Sequence, residues 1–214
     1  MYIPKQFQEQ RIQRLADAIR DIQLGTLVTS SRDAYHTSHI PMIFKETPQG
    51  MLLEGHVARA NEHWQVVEEP KPSIVIFMGP QAYISPSWYA TKQEHGRVVP
   101  TWNYLVVQAE GVVSSVHDRD WLMQHLEELV ELNEAYRQSP WAIADAPQEF
   151  IEKLSQAIVG IRFTVNTFVG CWKMIQNRSA VDRLGAVSGL LSSSESGDSA
   201  VASVMEQLER ERGD

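Results

Sequence analysis

An arginine stands where an extended run gives way to a helical one, in Gly55-His56-Val57-Ala58-Arg59-Ala60-Asn61-Glu62-His63-Trp64. Backbone amides at a helix start, joined by a guanidinium, form a seat for a phosphate. Spacing alone favours the plainer reading, a strand-to-helix turn with a solvated arginine. Ser38-His39-Ile40-Pro41, expected on an adjacent strand, would add further donors. A second group is aromatic: Tyr83-Ile84-Ser85-Pro86-Ser87-Trp88-Tyr89, followed by Pro100-Thr101-Trp102-Asn103-Tyr104. Aromatic rings beside prolines and small hydroxyl residues stack on a planar ring and hydrogen-bond its edge. The same residue types are enriched at subunit interfaces. The two readings are compatible, because a cofactor can sit at a subunit boundary.

The histidines do not read as metal ligands. His36 and His39 are three apart on an expected strand and so point to opposite faces. His56 and His63 lack an HExxH partner, and a single cysteine, Cys171, cannot build a structural zinc site. His125 falls on the apolar stripe of an expected helix and reads as a satisfied core residue. Cys171, facing inward on a strand beside Trp172, reads as structural rather than nucleophilic. The chain has no GxSxG, no Walker loop and no GxGxxG.

The elements that must position these residues are mainly strands. Ile12, Leu15, Ala16, Ile19 and Ile22 form a helical stripe that Gly25 ends. Residues 25–31 read as the first strand and 36–44 as a second, with Pro41 demanding an edge or a bulge. The turn at 47–50 leads to a strand over 51–56, and Asn61 caps a short helix through Val67. Residues 73–78 read as a strand buried on both faces, with a turn at Gly79-Pro80 and another short strand over 81–85. Trp102 to Val116 is a long strand, bulged at Gly111. Asp118 caps a helix, and a second helix starts near Pro147. The alternation from Ile161 to Cys171 marks the last strand. Helical patterns follow after Asp182 and around Val201, Val204, Met205 and Leu208. About seven hairpin-connected strands, with helices inserted before the last, imply a small closed barrel.

Composition sets the outer limits. With 214 residues and 43% hydrophobic content, the chain can bury a sizeable core. No apolar run is long enough to cross a bilayer and no secretory signal is visible, so a soluble cytoplasmic protein without membrane contact is expected. The net charge of −8 opposes a long-range pull toward nucleic acid. The helix from Arg119 to Tyr136 lacks the basic face of a groove-reading helix. Residues 192–214 hold six acids and two arginines, a serine-rich linker and an acidic helical tail set apart from a domain over 1–191.

Taken in order, Met1-Tyr2-Ile3-Pro4-Lys5, GHVARANEHW (55–64), IFMGPQAYISPSWY (76–89), VPTWNY (99–104), AIVGIRF (157–163) and WKMIQNR (172–178) resemble the PaiB-like family. These are FMN-binding split-barrel proteins described as negative transcriptional regulators of protease synthesis and sporulation. The resemblance covers residues 1–191. It implies a mainly β fold with α additions, an FMN-binding split β-barrel, and a homodimer with FMN at the subunit interface. By that likeness Arg59, Ala60 and Asn61 would contact the flavin phosphate, and Ser38, His39 and Ile40 would line the same pocket. Trp88, Lys92, Trp102 and Tyr104 would come from the partner subunit or the pocket wall. The acidic tail departs from the family pattern. Two functions follow from the resemblance, a flavin-binding regulator or a flavin oxidoreductase acting on a small molecule; the charge of −8 and the lack of a groove-reading helix point to a regulator acting indirectly, without direct DNA binding. A flavin-free barrel working through interactions is the third.

Overall fold

β-Branched and alternating apolar residues build the strands of one eight-stranded sheet. The computed structural model describes residues 1–213. Its strands are β1 (Gln8–Glu9), β2 (Leu24–Ser30), β3 (Tyr35–Pro41), β4 (Ile43–Thr47), β5 (Gly50–Ala58), β6 (Lys71–Ile84), β7 (Thr101–Val116) and β8 (Ile158–Lys173). Their order is β3-β2-β6-β7-β8-β5-β4, with β1 added to β8. The helices are α1 (Ile12–Ile22), α2 (His63–Val66), α3 (Thr91–His95), α4 (Arg119–Glu134), α5 (Gln148–Ser155), α6 (Ala180–Leu191) and α7 (Asp198–Gly213).

The chain divides into two units, with β6, β7 and β8 each contributing to both. The first comprises residues 1–18, 78–107 and those from Val169 on; the second comprises 19–77 and 108–168. In the second unit Leu27, Leu53, Val75, Phe77, Ile161 and Phe163 are fully buried. In the first, Leu15, Ile84 and Leu190 are fully buried, and the acidic C-terminal helix α7 buries Val201, Ala202 and Met205. Its carboxylates are used: Glu209 takes a bidentate pair of bonds from Arg183 at 2.6 and 2.7 Å, and Glu211 accepts from Arg14 at 2.5 Å.

Three expectations change. The strand expected over 36–44 breaks at Met42, whose buried side chain and amide bond to the Gln23 carbonyl (2.9 Å) make a corner. Pro41 therefore ends the edge strand β3, while β4 pairs with β5 at the other end of the strand order. Gly79-Pro80 is not a turn, since β6 runs unbroken from Lys71 to Ile84. Pairing with β2 stops at Phe77, so a proline three residues later removes no bond from that ladder. Residues 73–78 alternate in burial rather than being covered on both faces. At Gly111 the backbones approach closely, and a Cβ there would lie 2.0 Å from the Thr164 carbonyl oxygen.

Asp118 caps α4 as expected, its Oδ1 accepting from the Trp121 amide at 2.7 Å. Pro147 stands one residue before α5, at its cap.

Candidate functional site

In the second unit, the ladder between β5 and β8 ends at Ala58 opposite Ile158 and delivers Arg59 to the last rung. There the Arg59 amide donates to the Ala157 carbonyl at 2.7 Å. The guanidinium lies exposed across the same strand end, giving Nε to the Gln156 carbonyl (2.8 Å) and Nη2 to that of Ile158 (3.2 Å). Trp64 braces it from the other side: its indole N–H donates to the Arg59 carbonyl (2.9 Å), and its ring centre lies 5.8 Å from the guanidinium carbon. A guanidinium has five N–H donors. Two hold Arg59 in place, and the rest remain for an anion.

Arg59 lines a cavity of about 180 Å³ together with His117, Arg119, Ser155 and Gln156. Ligand pockets for whole cofactors typically begin near 300 Å³, so this space suits a phosphate group rather than an entire flavin. A larger groove of about 440 Å³ is lined by Ser30, Tyr35, Ser73, Glu110 and Asn166 among others. It contains a carboxylate and no basic residue, which makes it a poor phosphate seat.

The loop after Arg59 is tied to the core by a polar relay. Asn61 Oδ1 accepts from the His63 amide at 3.0 Å, but the N-cap of the short α2 is Glu62 rather than the expected Asn61, and the Glu62 side chain makes no capping bond. Asn61 Nδ2 donates to Ser38 Oγ (2.9 Å), which lies 2.9 Å from His63 Nδ1. His63 Nε2 is 2.9 Å from Thr29 Oγ1, and that hydroxyl is 2.7 Å from Ser73 Oγ. His63 is buried, and burial first, then the neighbouring His36, pushes its pKa down to about 4. A neutral imidazole thus bridges two hydroxyls and fixes the height of the Ala60–Asn61 turn over β3.

The relay sorts the residues expected to line the pocket. Ser38 and Ile40 point inward and are buried, the first engaged by His63 and Asn61 and the second packed in the core. His39 faces outward from β3, with Nδ1 3.0 Å from Thr26 Oγ1. Ala60 is exposed. From this unit, Arg59, Ala60 and the His39 ring are the groups presented to solvent.

The remaining four residues belong to the first unit. Trp102 and Tyr104 are two apart on β7 and share one face, whereas Asn103 between them is buried against Met205 Sδ at 3.3 Å. Trp102 stands edge-on to Tyr83, with ring centres 6.2 Å apart. Trp88 does something else. A Cβ on Gly189 would sit 2.3 Å from the Trp88 ring, and one on Gly185 would lie 2.2 Å from its carbonyl oxygen. The glycines, four apart on α6, form the seat on which Trp88 rests. Lys92 is exposed on α3 and reaches Ser87 Oγ at 3.2 Å.

Sequence reading missed His63 as the relay's centre and Lys173 at the end of β8. Lys173 Nζ donates to Thr101 Oγ1 (2.6 Å) and to the Trp102 carbonyl, and lies over the Tyr104 ring. The Gly185-x-x-x-Gly189 spacing was a legible signal for the Trp88 seat. Away from these groups, Glu54 is buried between Lys45 and Arg162, each at 2.9 Å. His125 is buried as expected but not satisfied: it stacks on Trp121 with its Nε2 3.2 Å from His56 Nδ1, while its buried Nδ1 has no hydrogen-bond partner among the described residues. Burial, followed by His56, pushes the His125 pKa down to about 4. Among the described residues, no three His, Cys, Asp or Glu side chains are grouped to hold a metal ion.

A family model described as "Putative FMN-binding domain" matches residues 1–167. "Protease synthase and sporulation protein PAI 2" of Bacillus subtilis is 29% identical over 206 residues, covering 96% of this chain and 97% of that protein. An Emericella nidulans protein, "Uncharacterized protein AN0679", is 31% identical and covers 100% of this chain and 98% of its own. Among solved structures, the "FAD and Heme binding protein from Mycobacterium smegmatis" superposes with a TM-score of 0.58 at 14% identity, over 84% of this chain and 79% of that one. The family match decides the assignment: the chain belongs to the PaiB-like family of FMN-binding split-barrel proteins, and its cofactor is a flavin.

Proposed function

We propose that this protein is a cytoplasmic, homodimeric flavin-binding regulator that influences gene expression indirectly, without a DNA-binding element of its own. The observation that carries the flavin part is Arg59, pinned by two backbone carbonyls with donors left over and lining a small cavity with Arg119 and His117. Such a group holds a phosphate at little further entropic cost, because it is already ordered. Trp102 and Tyr83, each about half exposed, supply a stacking surface for a planar ring and apolar area for a subunit interface. When bound, FMN supplies electron- or hydride-transfer chemistry, and the protein supplies binding, orientation and electrostatics. Ser38 and Asn61 support the phosphate turn through the relay.

The regulatory part is carried over from the likeness to the Bacillus subtilis protein named for protease synthesis and sporulation. Charge supports the indirect route. The chain is −8 overall, and the long helix α4 carries five acids against one arginine, so it offers no basic face to a phosphate backbone. The test is twofold. Operator-length DNA is titrated with the FMN-saturated protein at low and physiological salt, and NAD(P)H oxidation is followed with the same sample. The proposal expects neither salt-dependent DNA binding nor steady turnover. Tight binding with a steep salt slope would refute the indirect route, and sustained turnover would establish a flavin oxidoreductase instead.

A further inference from the structure

Lys173 closes β8 in the first unit, and all its partners are neutral. Its ammonium donates to the Thr101 hydroxyl at 2.6 Å and to the Trp102 carbonyl, and lies 5.6 Å from the centre of the Tyr104 ring. It is half-buried, yet among the described residues it makes no ion pair. Burial pushes its pKa below the ordinary lysine value. The neighbouring Cys171 offers no counter-charge, since burial pushes its thiol pKa up. A lysine in open water needs no partner. One withdrawn from water without an anion is held at a cost that a ligand with a strong acceptor would remove.

An ammonium has three N–H donors, and two are used. The third is left beside a flat aromatic surface. Trp102 is 54% exposed, Tyr83 is 47% exposed, and the two rings meet edge to face. Tyr104 lies on the same face of β7 as Trp102 and directly under the ammonium. The combination selects a planar ligand with electron-rich acceptors along one edge.

Resting on the flavin reading above, we propose that Lys173 is a flavin-contacting residue. It donates its third N–H to the N1–C2=O edge of the isoalloxazine ring while the ring lies against Trp102 and Tyr104. The phosphate is the other acceptor FMN could offer, and the two are separable because riboflavin has the ring without the phosphate.

The experiment titrates wild-type protein, Lys173→Met and Lys173→Arg with riboflavin and with FMN, following flavin fluorescence. A hydrogen bond to a charged group contributes about 1.5–3 kcal/mol, which is roughly a tenfold to hundredfold change in affinity. Lys173→Met is expected to weaken riboflavin and FMN by the same factor in that range, and Lys173→Arg to restore most of it. At saturating FMN, the pH at which the bound oxidised ring loses its N3 proton rises in Lys173→Met, because the cation that favours the anionic ring is gone. Should Lys173→Met fail to fold, Lys173→Gln keeps a donor toward Thr101 and is expected to shift both readouts in the same direction. Weakening of FMN alone would move the lysine to the phosphate and overturn the proposal. Unchanged affinities with an unchanged N3 titration would overturn it as well, while leaving the flavin reading standing. If the wild-type protein binds neither flavin, that reading falls and this one with it.

Discussion

Lowering the pH from about 7 to about 5 should destabilise this protein well before its carboxylates protonate, and His63 is a main reason. The imidazole bridges Ser38 Oγ and Thr29 Oγ1 inside the second unit, and its folded pKa is about 4 against an ordinary value of 6.5. A depressed folded pKa means that the unfolded chain takes up the proton first. The stability linked to the neutral ring is therefore fully present above the unfolded value and drains away as pH falls toward the folded one. Over the span from pH 7 to pH 5 this amounts to roughly 2 kcal/mol for such a histidine. His125, buried against Trp121 and also near 4, adds a loss of the same order. Glu54 and Glu9, held below the usual carboxylate range by their lysine and arginine partners despite burial, act only at lower pH. Urea unfolding followed by tryptophan fluorescence at several pH values measures the effect as a falling midpoint at constant slope. His63→Gln keeps hydrogen-bonding groups for both hydroxyls and removes the titration, so it should lose a clear share of the pH dependence between 7 and 5, the remainder belonging to His125 and to His56, whose pKa burial also lowers. Wild-type stability that is flat across that interval, or a His63→Gln variant with the wild-type slope, would refute the reasoning.

Other expectations follow from single contacts. Arg59→Glu should weaken FMN binding at least tenfold while leaving the fold intact, because its donors sit on exposed carbonyls at a strand end; equilibrium dialysis with FMN measures it. Gly111→Ala should cost about 3 kcal/mol or more, since the new methyl would meet the Thr164 backbone oxygen, which cannot rotate away; thermal unfolding reads this directly. Gly189→Val should dislodge Trp88 from α6, seen as a red-shifted tryptophan emission and a lower unfolding midpoint. Glu54→Gln should destabilise by roughly 1–3 kcal/mol, because Lys45 and Arg162 keep their charges beside a buried amide.

Local patterns made most of the elements legible. The amphipathic stripe of α1, the aspartate cap of α4 and the alternation of β8 over 161–166 each arise from neighbours in sequence, so spacing was enough to find them; past Asn166 the alternation of β8 fails, since Thr167 is exposed and Gly170, Cys171 and Trp172 are all buried. The break at Met42 was not legible. It depends on β3 and β4 pairing with different partners far along the chain, and only the proline beside it hinted at a corner. The unbroken β6 was hidden for a related reason, because Gly79-Pro80 is a turn signal unless the ladder on one side has already ended. At the proposed site, Arg59 stood out as a candidate from its place between strand and helix, although spacing alone favoured a solvated turn. The inward turn of Ser38 was not, because it is set by His63, a residue whose role appears only once β3 and the loop after β5 are adjacent. Lys173 was missed because an isolated lysine reads as solvated; its meaning comes from what is absent around it.

The account turns on flavin binding, and a titration of the purified protein with FMN tests it most directly. Bound flavin should appear as a shifted visible absorbance band and quenched flavin fluorescence, saturating at one FMN per chain, with Arg59→Glu displaced to much higher concentration. A protein purified without flavin absorbance that leaves the spectrum and fluorescence of added FMN unchanged at every concentration would contradict it.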